Sequence, residues 1–115
     1  ALPPVEVFSK FSAKEAKMAV KVLIKRKISQ DQAKALIPLV RQMRASAATQ
    51  AGYITGETLR SLDNPEEFLV ISTWQSSDDW KNWLKSEDRN KVQDKIDDLL
   101  GGETNYEIFH YGFSE

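Results

Sequence analysis

The stretch EFLVISTWQ, residues 67–75, limits the fold more than any other in the chain. Extended backbone shows its side chains alternately to two faces, so Phe68, Val70, Ser72 and Trp74 share one side while Leu69, Ile71 and Thr73 share the other. Both sides are oily. A sheet with helices on one face and water on the other alternates apolar with polar residues, which this run does not do. The stretch TNYEIFHYGF, 104–113, repeats the pattern, with Tyr106, Ile108 and His110 opposing Phe109, Tyr111 and Phe113. Helices can hide one face of such a sheet. At ~25 cal/mol per Å² the other face is expected to find a second copy of the chain across a two-fold axis, giving a homodimer packed sheet against sheet.

The remaining elements follow from periodicity and caps. Met18 to Ile28, MAVKVLIKRKI, reads as a strand with Val20, Val22 and Ile24 on one face and Lys21, Leu23, Lys25 and Lys27 on the other. The lysines read as the charge pattern of an edge strand, with no binding role. Ser29 and Gln32 are spaced as a capping box, and Ala33, Leu36, Ile37, Val40, Met43, Arg44 and Ala47 recur at three and four, predicting a helix over 30–50. Pro38 falls inside it and should bend its axis, and Gly52 should supply the left-handed stop. YITGETL, 53–59, is a second strand, joined to the third by the turn residues Asp63-Asn64-Pro65 as an antiparallel hairpin. Ser76 and Asp79 open a further helix whose apolar spacing breaks at 86–90, and Gly101-Gly102 ends it. The order βαββαβ predicts an α+β, ferredoxin-like domain, a four-stranded antiparallel sheet with two helices on one face. Residues 1–17, ALPPVEVFSKFSAKEAK, fit neither period and read as an N-terminal arm or an added extension before a domain spanning 18–115.

Several functions are excluded by composition. A chain of 115 residues hides roughly 65% of its unfolded surface and is one domain's worth of core. With 16 basic and 17 acidic residues and no basic stripe, nucleic acid is not an expected partner. There is no cysteine, hence no thiolate nucleophile, disulfide or cysteine zinc site, and the single histidine has no acidic cluster at ligand spacing, so no metal site is expected. No apolar run approaches the ~18 residues of a membrane span, and the expected setting is cytoplasmic.

All three tryptophans fall within residues 74–83. Trp80 and Trp83 open a helix whose apolar stripe faces the sheet, so packing alone accounts for them. Trp74 ends a strand beside small Ser72, which leaves room for a cavity between sheet and helices, suited to a small hydrophobic or aromatic molecule. The candidate residues around that space are His110 as a general base, Arg44 as an anion binder on the first helix's apolar stripe, Tyr53 beside a glycine, and Arg89 and Asn90 at the break in the last helix. The plain reading is a partly exposed His110, an Arg44 that snorkels to solvent, and a solvated turn at 86–90.

The order of elements, the junction VISTWQSSDDWKNWLKSED and the aromatic last strand resemble the antibiotic biosynthesis monooxygenase family, over about Met18 to Phe113. The resemblance implies a dimeric α+β barrel. It also implies either cofactor-free monooxygenation of a small aromatic or polyketide-like phenolate, or non-catalytic ligand binding or signal processing, or haem binding. Trp74 matches the strand-end tryptophan of the haem-degrading branch, but the position of that branch's histidine ligand is Gln93, and its first-strand asparagine has no counterpart between Met18 and Lys27. Haem is therefore disfavoured and no cofactor is expected. In the cofactor-free branch an asparagine stands four residues before the tryptophan, where this chain has Val70. The expectation carried forward is a monooxygenase-like chamber with Trp74 and His110 as catalytic residues and Trp74, Arg44, Tyr53, Ser72, Arg89 and Asn90 binding substrate.

Overall fold

The computed structural model describes residues 18–111, so both the N-terminal stretch 1–17 and Phe113 lie outside the described residues. The chain forms β1 (Val20–Lys27), α1 (Gln30–Ala47), β2 (Tyr53–Arg60), β3 (Glu67–Trp74), α2 (Ser77–Leu84), α3 (Glu87–Leu100) and β4 (Glu107–His110). The strands make one antiparallel sheet in the order β2-β3-β1-β4. This is the ferredoxin-like α+β arrangement read from the sequence, with the second helix split in two.

Side-chain chemistry explains most of the boundaries. The Ser29 hydroxyl accepts from the Gln32 amide and the Gln32 side chain accepts from the Ser29 amide, so α1 opens with the expected capping box. Pro38 lies inside α1, which runs through it to Ala47. The helix then stops three residues short of the expected end, because the Thr49 hydroxyl takes the Ser46 carbonyl at 2.7 Å and the backbone tightens into turns. Gly52 is left-handed as expected, φ 85°, but it serves the turn into β2 rather than the helix end, and a side chain there would run into the Asp79 carboxylate. The polar interval after Leu84 is a true break: Lys85 closes α2, and Ser86 caps α3 by accepting from the Arg89 amide.

Register sorts the faces. Val20, Val22, Ile24 and Arg26 of β1 lie opposite Trp74, Ser72, Val70 and Phe68 of β3, and the first two also oppose His110 and Ile108 of β4. Buried Val20, Val22 and Trp74 pack with Ala47, Trp80 and Trp83 of the helices, which identifies this as the helix-covered face. The lysines of β1 point the other way, but β1 pairs on both sides, so they do not mark an edge strand. Strand β4 is four residues long rather than ten. Its partner begins at Val20, opposite His110, and Thr104 is turned aside by hydrogen bonds to α3.

The core falls into two clusters. One is built on the three tryptophans and the start of β1. The other joins Ile28 and Leu36 to Val92 and Ile96, with Met43 packed against both. α1 lies along α3 above the second cluster. The seam between the clusters is where the chain's polar side chains turn inward.

Candidate functional site

A cavity of about 100 Å³ occupies that seam, under α1, α2 and α3 and above the sheet. Its floor comes from Val22, Ile24, Val70 and Ser72, and its aromatic walls from Tyr53, Trp74, Trp80, Trp83 and Tyr106. Trp74, 0% exposed, is held on every side: its indole N–H donates to the Ser72 hydroxyl at 3.1 Å, Trp83 stacks on it at 6.1 Å, and Tyr53 meets it edge-on at 5.3 Å. Trp80 meets Tyr106 in the same edge-on way at 5.7 Å. The three tryptophans thus fill the core and wall the chamber at once.

The polar wall is supplied by α3 and the start of β4. Arg89, Val92, Gln93 and Ile96 recur at three and four and are all buried, so the inward stripe of α3 carries an arginine and a glutamine among its aliphatic residues. Arg89, 7% exposed, donates to the Leu84 carbonyl at 3.1 Å, to Asn90 Oδ1 at 2.6 Å and to the Tyr106 hydroxyl, while its guanidinium also lies 5.5 Å from the Tyr106 ring centre. Tyr106 donates onward to Gln93 Oε1 at 3.4 Å. Gln93 donates to Thr104 Oγ1 and to Asp97 Oδ1, each at 2.8 Å, and Arg26 of β1 reaches Thr104 Oγ1 at 3.3 Å. Burial is the main influence on Arg26 and pushes its pKa below the usual arginine value, against the opposing pull of Tyr106 and Asp97.

On the opposite side, exposed Arg44 lines the chamber where it reaches solvent, between α1 and edge strand β2. It donates to Thr58 Oγ1 at 2.7 Å. Gly56 lies directly beneath, and a methyl group there would sit 2.6 Å from the Tyr53 hydroxyl. Only a glycine lets the Tyr53 ring lie across the edge strand at the mouth.

Of the residues expected at the site, Trp74, Tyr53, Ser72, Arg44 and Arg89 all border this chamber. Asn90 does not; it is exposed and acts behind the wall as an acceptor for Arg89. His110 shares the helix-covered face, opposite Val20, yet is not among the residues that bound the cavity, so the geometry brings no imidazole to a bound molecule. The plain reading of 86–90 as a solvated turn is overturned by the burial of Arg89. Three chamber residues escaped the reading of the sequence as binders: Arg26, Gln93 and Tyr106. Arg26 continues the parity of Val20, Val22 and Ile24, and Gln93 and Arg89 lie three and seven residues before Ile96, so strand and helix periods carried the signal. Among the described residues no group of three or more His, Cys, Asp or Glu side chains is placed to hold a metal, and no helix is long and apolar enough to cross a membrane.

Fold and site define a ferredoxin-like α+β domain built around a small aromatic chamber with a cationic wall. The chain belongs to the antibiotic biosynthesis monooxygenase family, whose model matches residues 19–95. No curated protein matches the sequence. Among solved structures, a conserved protein from Methanosarcina mazei Go1 superposes with a TM-score of 0.75 at 16% identity, covering 88% of this chain and 100% of its own. Rv0793 from Mycobacterium tuberculosis gives 0.71 at 16%, covering 84% of this chain and 97% of its own. SnoaB from Streptomyces nogalater, described as a cofactor-independent oxygenase, gives 0.69 at 15%, covering 84% and 96%. At these identities the likeness establishes the fold. The expectation of chemistry without a cofactor agrees with the description of SnoaB.

Proposed function

We propose that the chain is a cofactor-independent oxygenase acting on a small phenolic compound bound as its anion beneath the helices. The observation that carries this reading is Arg89: a buried guanidinium, hydrogen-bonded only to neutral groups, on the wall of an aromatic chamber. Such a charge favours the ionised form of an acidic ligand beside it. Among the described residues no Asp, Glu or His borders the chamber, so none of the wall residues is placed as a carboxylate or imidazole base. A phenol beside Arg89 is bound as its phenolate instead, its proton left with solvent water.

A phenolate has electron density at a ring carbon, which can attack dioxygen and form a hydroperoxide on that carbon. Loss of water from the hydroperoxide, which takes the hydrogen on that carbon, leaves a ring carbonyl. One oxygen atom stays in the product, the other leaves as water, and the substrate supplies all the electrons, so no external reductant is required. Trp74, Trp83 and Tyr53 give the ring an aromatic wall to pack on, Arg89 and Gln93 stabilise the oxyanion, and the helices cover the site from most of the solvent. The chamber of about 100 Å³ opens to solvent beside Arg44 and is smaller than the ~150 Å³ cavity that holds benzene, so it suits a single ring that extends toward the mouth better than a polycyclic one.

The outer sheet face supports a homodimer. Leu23, Leu69 and Ile71 form its centre, with exposed Leu59 and Phe109 beside them, and a second copy is the partner that would cover such a patch. The test of the catalytic reading is oxygen uptake with monocyclic hydroquinones. Turnover by the native chain, with stoichiometric hydroxyquinone and at least a tenfold loss in Arg89→Gln, is expected on the scale of one lost charge-assisted hydrogen bond. Binding of the same compounds without any oxygen uptake would leave a ligand-binding module of this fold instead.

A further inference from the structure

Among the described residues the cations of the chamber form no ion pair with an acid. Arg26, Arg44 and Arg89 all border it, and among the described residues the ion pair found is elsewhere, between exposed Lys25 and Glu107 at 3.8 Å. The carboxylate nearest in the network, Asp97, stands behind the wall, where its Oδ1 receives Gln93 and Thr104 at 2.8 Å each. With Arg44 exposed at the mouth, the two inner guanidiniums, Arg26 and Arg89, face that one carboxylate and leave a net positive charge on the inner wall. Arg26 is the least satisfied. It is half-buried, its guanidinium makes a single hydrogen bond, to Thr104 at 3.3 Å, and a guanidinium has five N–H donors. A charge withdrawn from water with its donors unspent is costly, and its flat fork matches the two oxygens of a carboxylate.

Resting on the phenolate reading above, we infer that the ligand is a small aromatic acid carrying two ionised groups on one ring, and that Arg26 receives the second, a carboxylate. Arg89 hydrogen-bonds the Tyr106 hydroxyl, Tyr106 donates to Gln93, and Gln93 and Arg26 both donate to Thr104 Oγ1, so the two receptors lie on one side of the chamber. Tyr106 and Gln93 between them set the spacing that the two acid groups must match. Arg26 is thus a specificity-determining residue that separates dianionic from monoanionic rings.

Calorimetric titration of the full chain with benzoate and with isophthalate, the same ring carrying one and two carboxylates, tests this without requiring turnover. Isophthalate is expected to bind roughly tenfold or more tightly than benzoate, the scale of a charge-assisted pair. In Arg26→Gln that gap should fall to within about twofold while benzoate binding is kept, and Arg26→Lys, which keeps the charge but loses the fork, should retain part of it. Equal binding of both acids by the native chain, or a gap that survives in a folded Arg26→Gln, overturns the role of Arg26 and leaves the single-anion reading of Arg89 standing. Failure of the native chain to bind either acid overturns both.

Discussion

Replacing Ser72 by alanine removes one hydroxyl from the floor of the chamber and leaves the indole N–H of Trp74 without the acceptor it has at 3.1 Å. Trp74 is 0% exposed, so its N–H cannot turn to bulk water. A buried donor left unpaired costs about 1–3 kcal/mol. The adjoining cavity has room for a water molecule that would accept the proton, which places the expected cost near the lower end, about 1–1.5 kcal/mol. For a domain of this size that is roughly a 4–6 °C fall in Tm. Trp74→Phe loses the bond together with part of the ring's contact with Trp83 and Tyr53, and is expected to cost about 2–3 kcal/mol. The two changes share one hydrogen bond, so the double variant should cost about 1 kcal/mol less than their sum. Urea unfolding of the four proteins measures the coupling. Additivity within about 0.3 kcal/mol would refute the claim that Ser72 anchors Trp74, and with it the reason the aromatic wall keeps its position when the chamber is empty.

Gly56→Ala should displace the Tyr53 ring from the mouth, because the new methyl meets its hydroxyl at 2.6 Å; a loss of about 1 kcal/mol that is largely recovered in the pair Gly56→Ala, Tyr53→Phe, read by thermal melting, would bear this out. Ser29→Ala removes the acceptor for the Gln32 amide and should cost about 1 kcal/mol in urea unfolding, with an unchanged slope. Gly101→Ala forces a side chain into φ 75° at the end of α3 and should cost about 1 kcal/mol. The same change at Gly102, which has open space and no such φ, should cost clearly less. Ile71→Lys places a charge at the centre of the outer face, and light scattering should show a dimer for the native chain and a monomer for the variant; the same mass for both would refute pairing through that face.

The extent to which this site could be read from sequence follows from how each residue's period is anchored. Strand parity fixed the chamber's floor and its tryptophan, since Ser72 and Trp74 alternate with residues that have to face outward, and register against β1 keeps them there. The same parity reaches Arg26, but a charge at the end of a basic strand invites the reading of a solvated lysine-like tip. That reading fails because β1 is internal to the sheet and its covered face continues beneath α3. His110 shows the reverse limit: parity correctly puts it on the covered face, yet says nothing of how far across the sheet the cavity extends, and in the row that Val20 shares with Trp74 and His110 the chamber reaches Trp74 but not His110. Gln93, and the burial of the expected Arg89, were obscured for a different reason. Polarity around 86–90 signals a break, and the break is real, but restarting the helical count at Ser86 from its own apolar anchors, Val92 and Ile96, carries the buried stripe back through both residues. A break in a helix therefore does more here than change the direction of the chain. It frees the first turn of α3 from the packing of α2, and the Leu84 carbonyl left at the end of α2 becomes an acceptor that holds the buried guanidinium on the chamber wall.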